Sequence, residues 1–377
     1  MLPPGATIGM LGGGQLGRMS LLAGRKLGYH FVVLDPGGQA APAASVADAV
    51  IAAPFDDKAA LDELARRTDR ITLEFENIPK GTLAHLEQTV AVCPGRSVLE
   101  VCQHRLKEKS FLRDNGFPCV PFASISSVDE LRAAVAELGF PSVLKTADSG
   151  YDGKGQIKLS ESTDLADAWT KLGEVPCVLE KWITFENEFS VVCARNTAGE
   201  EQAYPVFENE HCNHILDTTI WPARICPDLE AEAQALALAI TRELQAVGLI
   251  TVELFLTQGG KWIVNELAPR PHNSGHVTLD AAVTSQFEQH IRAVAGLPLG
   301  APDALSAAVM VNLLGDRWPA GGQPDWKVLL EEPRAKLHLY GKAEARPGRK
   351  MGHFTMLAPE LPDALEKAKS LDKSLTL

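Results

Sequence analysis

The stretch ITVELFLTQGGKWIVNEL (residues 250–267) holds two alternating apolar runs on either side of Gly259-Gly260. Alternation at period two argues for strands, and a glycine pair between them suits a two-residue type I′ hairpin turn. That turn pairs Gln258 with Lys261, and the register running back from it sets Glu253 opposite Glu266. Opposed carboxylates repel, and a cation between them resolves the conflict. Oxygen ligands on rigid strands fit magnesium, with Asn265 as a further oxygen donor. A solvated hairpin face on which one carboxylate pairs with a lysine would account for the same residues. A one-residue slip would undo the pairing.

Upstream, from residue 7 to about 92, apolar runs alternate with helical patterns: TIGMLG as strand, 15–27 as helix, FVVLD as strand, 57–67 as helix, ITLEF as strand. Such alternation implies a parallel sheet with crossover helices. At Ser97-Val98-Leu99-Glu100 a capping box opens a helix that runs to the stop signal Asn115-Gly116. A second α/β region follows, with PSVLK (141–145), 176–181 and 188–195 as strands and a helix at about 229–247. Past Gly296-Leu297-Pro298 come short strands (307–314, 335–340, 353–357) and a final helix, a small third domain.

With 377 residues, 45% of them hydrophobic, the chain can fill cores in two or three domains. The 36 basic against 48 acidic residues, with no long basic run, exclude nucleic acid as an expected partner. No apolar segment reaches the roughly 20 residues that span a bilayer, and the start MLPPGATIGML lacks a charged n-region and a cleavage site. A cytoplasmic location without membrane partners is the expectation. The seven scattered cysteines never form C-x-x-C and read as reduced thiols, mostly in cores.

Gly12-Gly13-Gly14-Gln15-Leu16-Gly17 follows a strand and opens a helix, and Asp35 ends the next strand at the spacing of a ribose-binding acid. Taken alone this predicts a dinucleotide site. Glycines there only let backbone N–H groups approach some anion, so a nucleotide monophosphate, or a tight turn without ligand, fits as well. On the 98–112 helical wheel Arg105 and Lys109 fall inside the apolar stripe. A cation there needs a partner, although snorkelling suffices for Lys109. Lys145 ends a strand just before TADSGYDGKGQ (146–156). A glycine-rich loop beside a lysine at a strand end is a recurrent way to hold a triphosphate and exclude water. The residues alone thus give an ATP and magnesium site.

The ordered set GGGQLGRM (12–19), EFEN (74–77), LKTADSGYDGKGQ (144–156), NELAPRPHNSGH (265–276) and RPGRKMGH (346–353) closely resembles the N5-carboxyaminoimidazole ribonucleotide synthetases of the ATP-grasp superfamily. The resemblance spans essentially the whole chain. It implies an α/β (α+β) class: an ATP-grasp fold with an N-terminal parallel-sheet pre-ATP-grasp domain (1–96), an ATP-grasp domain (97–298) with a mobile lobe at about 146–185, and a small C-terminal β-rich domain (299–377).

By matching position, the resemblance places ATP against Arg105, Lys145, Gly150, Tyr151, Asp152, Gly153, Lys154, Gly155, Gln156, Glu188, His211, Asn265 and Glu266. Adenine would meet the backbone of Glu180-Lys181-Trp182-Ile183. Glu253 and Glu266 would hold magnesium, with manganese as the alternative. The Glu210 to His214 cluster lacks a zinc ligand spacing.

Arg270 and His272, reaching the γ-phosphate, with Asp152 and Lys350, are the expected catalytic residues; a loop-stabilising role is the competing account of Arg270 and His272. Lys342, Arg349 and Lys350 form the basic cluster expected at a 5′-phosphate, unless they are a solvated turn. Gly14, Gln15, Leu16, Glu76, Tyr151, Asp152, Arg270 and His272 would line the rest of the substrate pocket, and Glu74 and Glu76, at the ligand-binding end of a parallel strand, have the least defined roles.

The implied reaction is ATP-dependent carboxylation of aminoimidazole ribonucleotide by bicarbonate through carboxyphosphate, in purine biosynthesis, by a homodimer that passes its product to a separate mutase. Two alternatives are a formate-dependent glycinamide ribonucleotide transformylase of the same superfamily and a dinucleotide-dependent oxidoreductase. A third is a nucleotide-binding protein without catalysis.

Overall fold

The structure, a computed structural model, describes residues 1–148, 155–319 and 321–375. Five parallel strands open the chain: β1 (Thr7–Leu11), β2 (His30–Leu34), β3 (Ala49–Ile51), β4 (Arg70–Leu73) and β5 (Val92–Cys93), in the order β3-β2-β1-β4-β5. Their apolar runs are covered on both faces, as a parallel sheet requires. Leu11, Leu34 and Leu73 pack with Leu61, Leu64, Leu83 and Leu86 of α2 (Lys58–Arg67) and α3 (Lys80–Leu86). On the other face Met10, Phe31 and Val33 meet Leu21 of α1 (Gln15–Lys26) together with Ile291 and Val294 from far downstream.

The helix expected from Ser97 to Asn115 is two helices, α4 (Arg96–Cys102) and α5 (Arg105–Asp114). Ser97 caps nothing: Gly95 is the N-cap, and Glu87 Oε1 receives the N–H of Arg96. The break has local causes. Gln103 Nε2 donates to the carbonyls of Glu76 and Ile78, and Arg105 N donates to Ala147. His104 Nδ1 restarts the helix by accepting from Lys107 N.

An antiparallel sheet of β6 (Phe122–Ile125), β7 (Ser142–Thr146), β8 (Gln156–Leu159) and β9 (Cys177–Lys181) runs in the order β6-β9-β7-β8, covered by α6 (Val128–Leu138) and α7 (Leu165–Lys171). The lobe containing the 146–185 stretch thus begins near residue 122, because β6 and α6 share its core.

The remaining strands are β10 (Phe185–Arg195), β11 (Glu201–Ala203), β12 (Phe207–Cys212), β13 (Ile215–Trp221), β14 (Gly248–Thr257), β15 (Trp262–Ala268), β16 (Ala307–Leu314), β17 (Ala335–Leu339) and β18 (Lys350–Ala358). They form one antiparallel sheet in the order β15-β14-β10-β12-β13-β16-β18-β17, with β11 beside β10. The C-terminal strands therefore extend the central sheet through β13 and β16 instead of making a sheet of their own. Helix α8 (Pro227–Glu243) packs on the β10/β14 side with Ile250, Val252 and Trp262. Helices α9 (Thr278–Ala281) and α10 (Gln286–Ala295) pack on the opposite face, while α11 (Lys327–Leu330) and α12 (Leu361–Ser374) cover β16 to β18. Helix α10 also completes the core of the first sheet, where His290 Nε2 meets Thr72 Oγ1 at 2.9 Å.

The β14/β15 turn differs from the two-residue expectation. Thr257 pairs with Lys261, and of the two glycines only Gly260 has a positive φ (68°), whereas a type I′ turn needs both. A bulge between Glu253 and Leu254 then restores the register, so Glu253 does face Glu266. Among the described residues no helix is long and apolar enough to cross a membrane. All seven cysteines are free thiols; Cys212 and Cys226 are exposed and the other five buried or half-buried.

Candidate active site

The first-domain glycines are already satisfied from within. Gly13 N donates to Asp35 Oδ2 at 2.7 Å, Gly17 N to Glu74 Oε2 at 2.7 Å, and Gly14 N to Glu74 Oε1. Gly12 adopts φ +96°, and a Cβ there would stand 2.6 Å from Glu74 Cγ; at Gly14 it would stand 2.6 Å from Glu74 Oε1. The loop is glycine-rich because a buried carboxylate of the same chain occupies the start of α1. Burial pushes that carboxyl up in pKa, against the pull of the two N–H groups. Asp35 spends its other oxygen on Gly37 N. The dinucleotide expectation is corrected by these contacts, and the N–H of Gly14, one of the expected pocket residues, is spent on Glu74.

Beside this loop lies a cavity of about 290 Å³ lined by Gln15, Leu16, Phe75, Glu76, Asn77, Arg270, Asn273 and Lys350. Arg270 binds Glu76 with both arms of its guanidinium, Nη2 to Oε1 at 3.0 Å and Nε to Oε2, tying the first domain to the loop after β15. Burial would raise Glu76, but the charge of Arg270 outweighs it and holds the carboxyl below its usual range.

The hairpin carboxylates stand on β14 and β15, the second strand ending just before Arg270 in the chain. His272 Nε2 is 3.0 Å from Glu253 Oε1, and Asn265 Nδ2 donates to Glu253 Oε2 at 3.2 Å. Glu266 is open to the cleft, yet its depth and the facing Glu253 charge push its carboxyl up to about 7. Burial and the same charge also bring Glu188 to about 7, and Glu188 Oε2 is 3.0 Å from His211 Nδ1. Glu266 and Glu188 are thus driven toward protonation while, against burial, His272 holds Glu253 ionised, and the opposed pair Glu253 and Glu266 offers the oxygen donors a divalent cation fits.

Helix α5 grips β15 on both sides of Glu266. Lys109 Nζ donates to Asn265 O at 2.7 Å, and Glu108 Oε2 receives Leu267 N at 2.9 Å. Lys109 is 1% exposed, so the snorkelling expectation is wrong. Its ammonium lies 3.9 Å from Glu180 Oε1, whose other oxygen binds Lys145 Nζ at 2.7 Å. Removing one partner of a buried charge network leaves the other uncompensated. Lys109→Ala should therefore lose roughly 3–5 kcal/mol in denaturant unfolding. A loss under about 1 kcal/mol, the size of an exposed pair, would show that the network carries no such weight.

Three family models match in sequence order: a ribonucleotide synthetase preATP-grasp domain at residues 5–103, an ATP-grasp domain at 110–287, and a phosphoribosylaminoimidazole carboxylase C-terminal domain at 308–367. The N5-carboxyaminoimidazole ribonucleotide synthase of Bacillus subtilis (strain 168) is 44% identical over 358 residues, 94% of this chain and 92% of that protein. The chain belongs to the N5-carboxyaminoimidazole ribonucleotide synthase family. A solved synthetase of this family, in complex with ADP, superposes with a TM-score of 0.92 at 45% identity, over 99% of this chain and 97% of that one. The Aspergillus clavatus synthase, solved with ADP and 5-aminoimidazole ribonucleotide, superposes at 0.89 with 29% identity over 99% of each chain.

Of the residues expected for this family, Glu188, His211, Glu253, Asn265, Glu266 and His272 cluster on and beside β10, β12, β14 and β15, and Arg270 follows directly. Lys145, on β7, faces Glu180 of β9, and Arg105 Nη1 donates to Thr146 O at 3.0 Å. Lys181 and Trp182 commit their N–H groups to the carbonyls of Pro121 and Pro141, which removes those two donors from the expected adenine connector; Ile183 follows them. Gly155 and Gln156 lead into β8, whereas Gly150, Tyr151, Asp152, Gly153 and Lys154 lie outside the described residues. Of the basic cluster, Lys350 lines the cavity, and Lys342 Nζ donates to Lys350 O at 2.6 Å. Arg349 braces its turn through Glu344 O and is not among the lining residues. Glu108, Phe75, Asn77 and Asn273 were not anticipated. Glu108 had a signal, since it sits three residues after Arg105 on the apolar stripe of the same wheel.

Proposed function

We propose that this chain is a ligase that uses ATP and bicarbonate to carboxylate 5-aminoimidazole ribonucleotide to the N5-carboxyamino product, releasing ADP and phosphate. The observation that carries the proposal is Arg270, which follows the strand whose Glu266 faces Glu253 and grips Glu76 in the cavity that Lys350 also lines. Bicarbonate is a poor electrophile and needs activation. Its oxygen attacks the γ-phosphorus, ADP leaves, and carboxyphosphate forms. The exocyclic amine of the ribonucleotide takes up the carboxyl group, directly or from carbon dioxide released in the closed site, losing a proton as phosphate departs.

Lys145 and Arg105 offset the charge that grows on the transferred phosphoryl group. Glu253 and Glu266, with Asn265 beside them, would hold magnesium or manganese, which supplies charge neutralisation at the phosphates when bound. Glu188 receives the ribose hydroxyls, with His211 near the nucleotide, and the backbone around Ile183 meets adenine. Arg270 orients bicarbonate with its planar fork. Gln15, Leu16 and Glu76 line the imidazole side, and Lys350 and Lys342 with Arg349 behind them receive the 5′-phosphate; Tyr151 and Asp152, outside the described residues, are further substrate-binding candidates by resemblance. The domains are 1–96, 97–298 and 299–377, and the enzyme works in the cytoplasm as a homodimer that passes its product to a separate mutase.

ADP release should require both bicarbonate and the ribonucleotide. A coupled ADP assay that runs at full rate without bicarbonate would sink the proposal. A second measurement concerns Lys342, whose ammonium is pushed down to about 8 by burial, and by Arg349 and Lys350, against the attraction of Glu74. In the free enzyme it carries its charge below that pH and loses it above, so kcat/KM for the ribonucleotide should fall as pH rises through about 8. Stability moves the other way. The unfolded chain holds this proton up to about 10.4, so folding gains between the two values. Lys342→Arg, which stays charged, should flatten the kcat/KM profile; an unchanged profile would remove Lys342 from the phosphate site.

A further inference from the structure

The side chains behind His272 form one hydrogen-bonded line across the central sheet, and the chemistry above uses none of them. His272 Nδ1 lies 2.8 Å from Ser274 Oγ and also receives the backbone N–H of Ser274 at 3.4 Å. Ser274 Oγ is 2.7 Å from Ser190 Oγ. Asn209 Nδ2 donates to Ser190 Oγ at 2.9 Å, and Thr219 Oγ1 donates to Asn209 Oδ1 at 3.1 Å. Strand register explains the line. Ser190 stands opposite Glu253, Asn209 opposite Glu188, and Thr219 opposite Asn209, so all share the face of the hairpin carboxylates. Ser190, Ser274 and Thr219 have no exposed surface and Asn209 has 7%.

The two ends of the line fix the direction of every proton in it. A carboxylate only accepts, so Nε2, 3.0 Å from Glu253, carries a proton. A backbone N–H only donates, so Nδ1 is the acceptor of the neutral ring. Ser274 then gives its hydroxyl proton to Nδ1, Ser190 gives its own to Ser274, and Asn209 gives an amide proton to Ser190. Thr219 donates to the Asn209 carbonyl and closes the series. No member is left with two donors or two acceptors face to face, and at side chains this deeply buried a missing partner is costly.

We propose that Ser274, Ser190, Asn209 and Thr219 are positioning residues that fix His272 as the Nε2–H tautomer, so that it meets the Glu253 carboxylate as a hydrogen-bond donor, not a base, and holds that carboxylate in place for the reaction. The role given to His272 rests on the proposed carboxylation. A ring with a bare Nε2 would set its lone pair against the Glu253 carboxylate, whereas Nε2–H orients it.

The test uses the full-length protein labelled with 15N in its histidine rings. The His272 signal, identified by its loss in His272→Asn, should show a protonated Nε2 and a bare Nδ1, and the opposite pattern overturns the proposal without any further variant. Ser190→Ala alters a side chain that touches neither His272 nor the cleft cavity. It should lower kcat about ten- to a hundredfold, leave the KM for ATP within about twofold, and mix the two ring patterns. Ser190→Thr, which keeps the hydroxyl, should restore all three. If Ser190→Ala leaves kcat and the spectrum unchanged, the line does not position His272. Absence of bicarbonate-dependent turnover in the wild type would remove the functional proposal instead, while the spectrum would still decide the tautomer.

Discussion

Glu266→Gln is expected to abolish turnover, by roughly a thousandfold or more, at every magnesium concentration, because a neutral amide cannot replace the carboxylate that, in the proposed function, would hold the cation. The same substitution should raise the melting temperature of the protein measured without nucleotide or metal. Glu253 faces position 266 directly, and deleting one of two opposed like charges removes a repulsion that the fold otherwise bears. Burial would raise Glu253 too, but His272, with His211 and Arg270, holds it ionised, so Glu266 is the member that absorbs the conflict. The contacts of α5 to the flanking backbone, from Lys109 and Glu108, do not involve the Glu266 side chain and survive the change. A stability gain with lost activity is the signature of a site kept strained for function. The experiment pairs a thermal melt with ADP release across a magnesium titration. Wild-type rates at saturating magnesium would remove the metal assignment, and a lowered melting temperature would show that the pair is not in conflict.

The hairpin was legible because alternation and a glycine turn are local signals, and the opposition of Glu253 to Glu266 emerged even though the turn and the bulge each departed from expectation by one residue. The bulge could not be seen in the sequence. It is fixed by α5, over 150 positions away in the chain, whose Lys109 and Glu108 take the carbonyl of Asn265 and the N–H of Leu267. The same distance effect hid the true state of Lys109, which an amphipathic wheel sends to solvent and a buried Glu180 keeps inside. Gly12 to Gly17 misled for a related reason: glycines announce that something approaches the backbone, and here the visitor is Glu74 from the neighbouring strand end. The break between α4 and α5 depends on carbonyls of Glu76 and Ile78 that only the fold brings to Gln103. Patterns of strands and helices are written locally, while pairings between distant charges depend on how sheets stack.

Arg270→Lys should reduce kcat by about two orders of magnitude and Arg270→Ala by about three, with little change in the KM for ATP in either, if the guanidinium acts as proposed on bicarbonate and the transferred phosphoryl group, not on bound nucleotide. A lysine keeps the charge but loses the two-armed grip seen on Glu76. Glu76 shapes the expected series. It is held ionised by Arg270, so Arg270→Ala leaves a half-buried carboxylate without its partner and should also destabilise the junction between the first domain and the loop after β15. Glu76→Gln alone keeps a hydrogen-bond acceptor but frees the fork, and should lower kcat less than either arginine variant. If the pair works as a unit, Glu76→Gln combined with Arg270→Lys will be scarcely slower than Arg270→Lys alone, because the second change removes an orientation already lost. Additive losses in that double-mutant cycle would mean that Glu76 acts on the ribonucleotide independently of Arg270. Recovery of stability in Glu76→Gln/Arg270→Ala relative to Arg270→Ala, without recovery of kcat, would separate the structural share of the ion pair from its share in the chemistry.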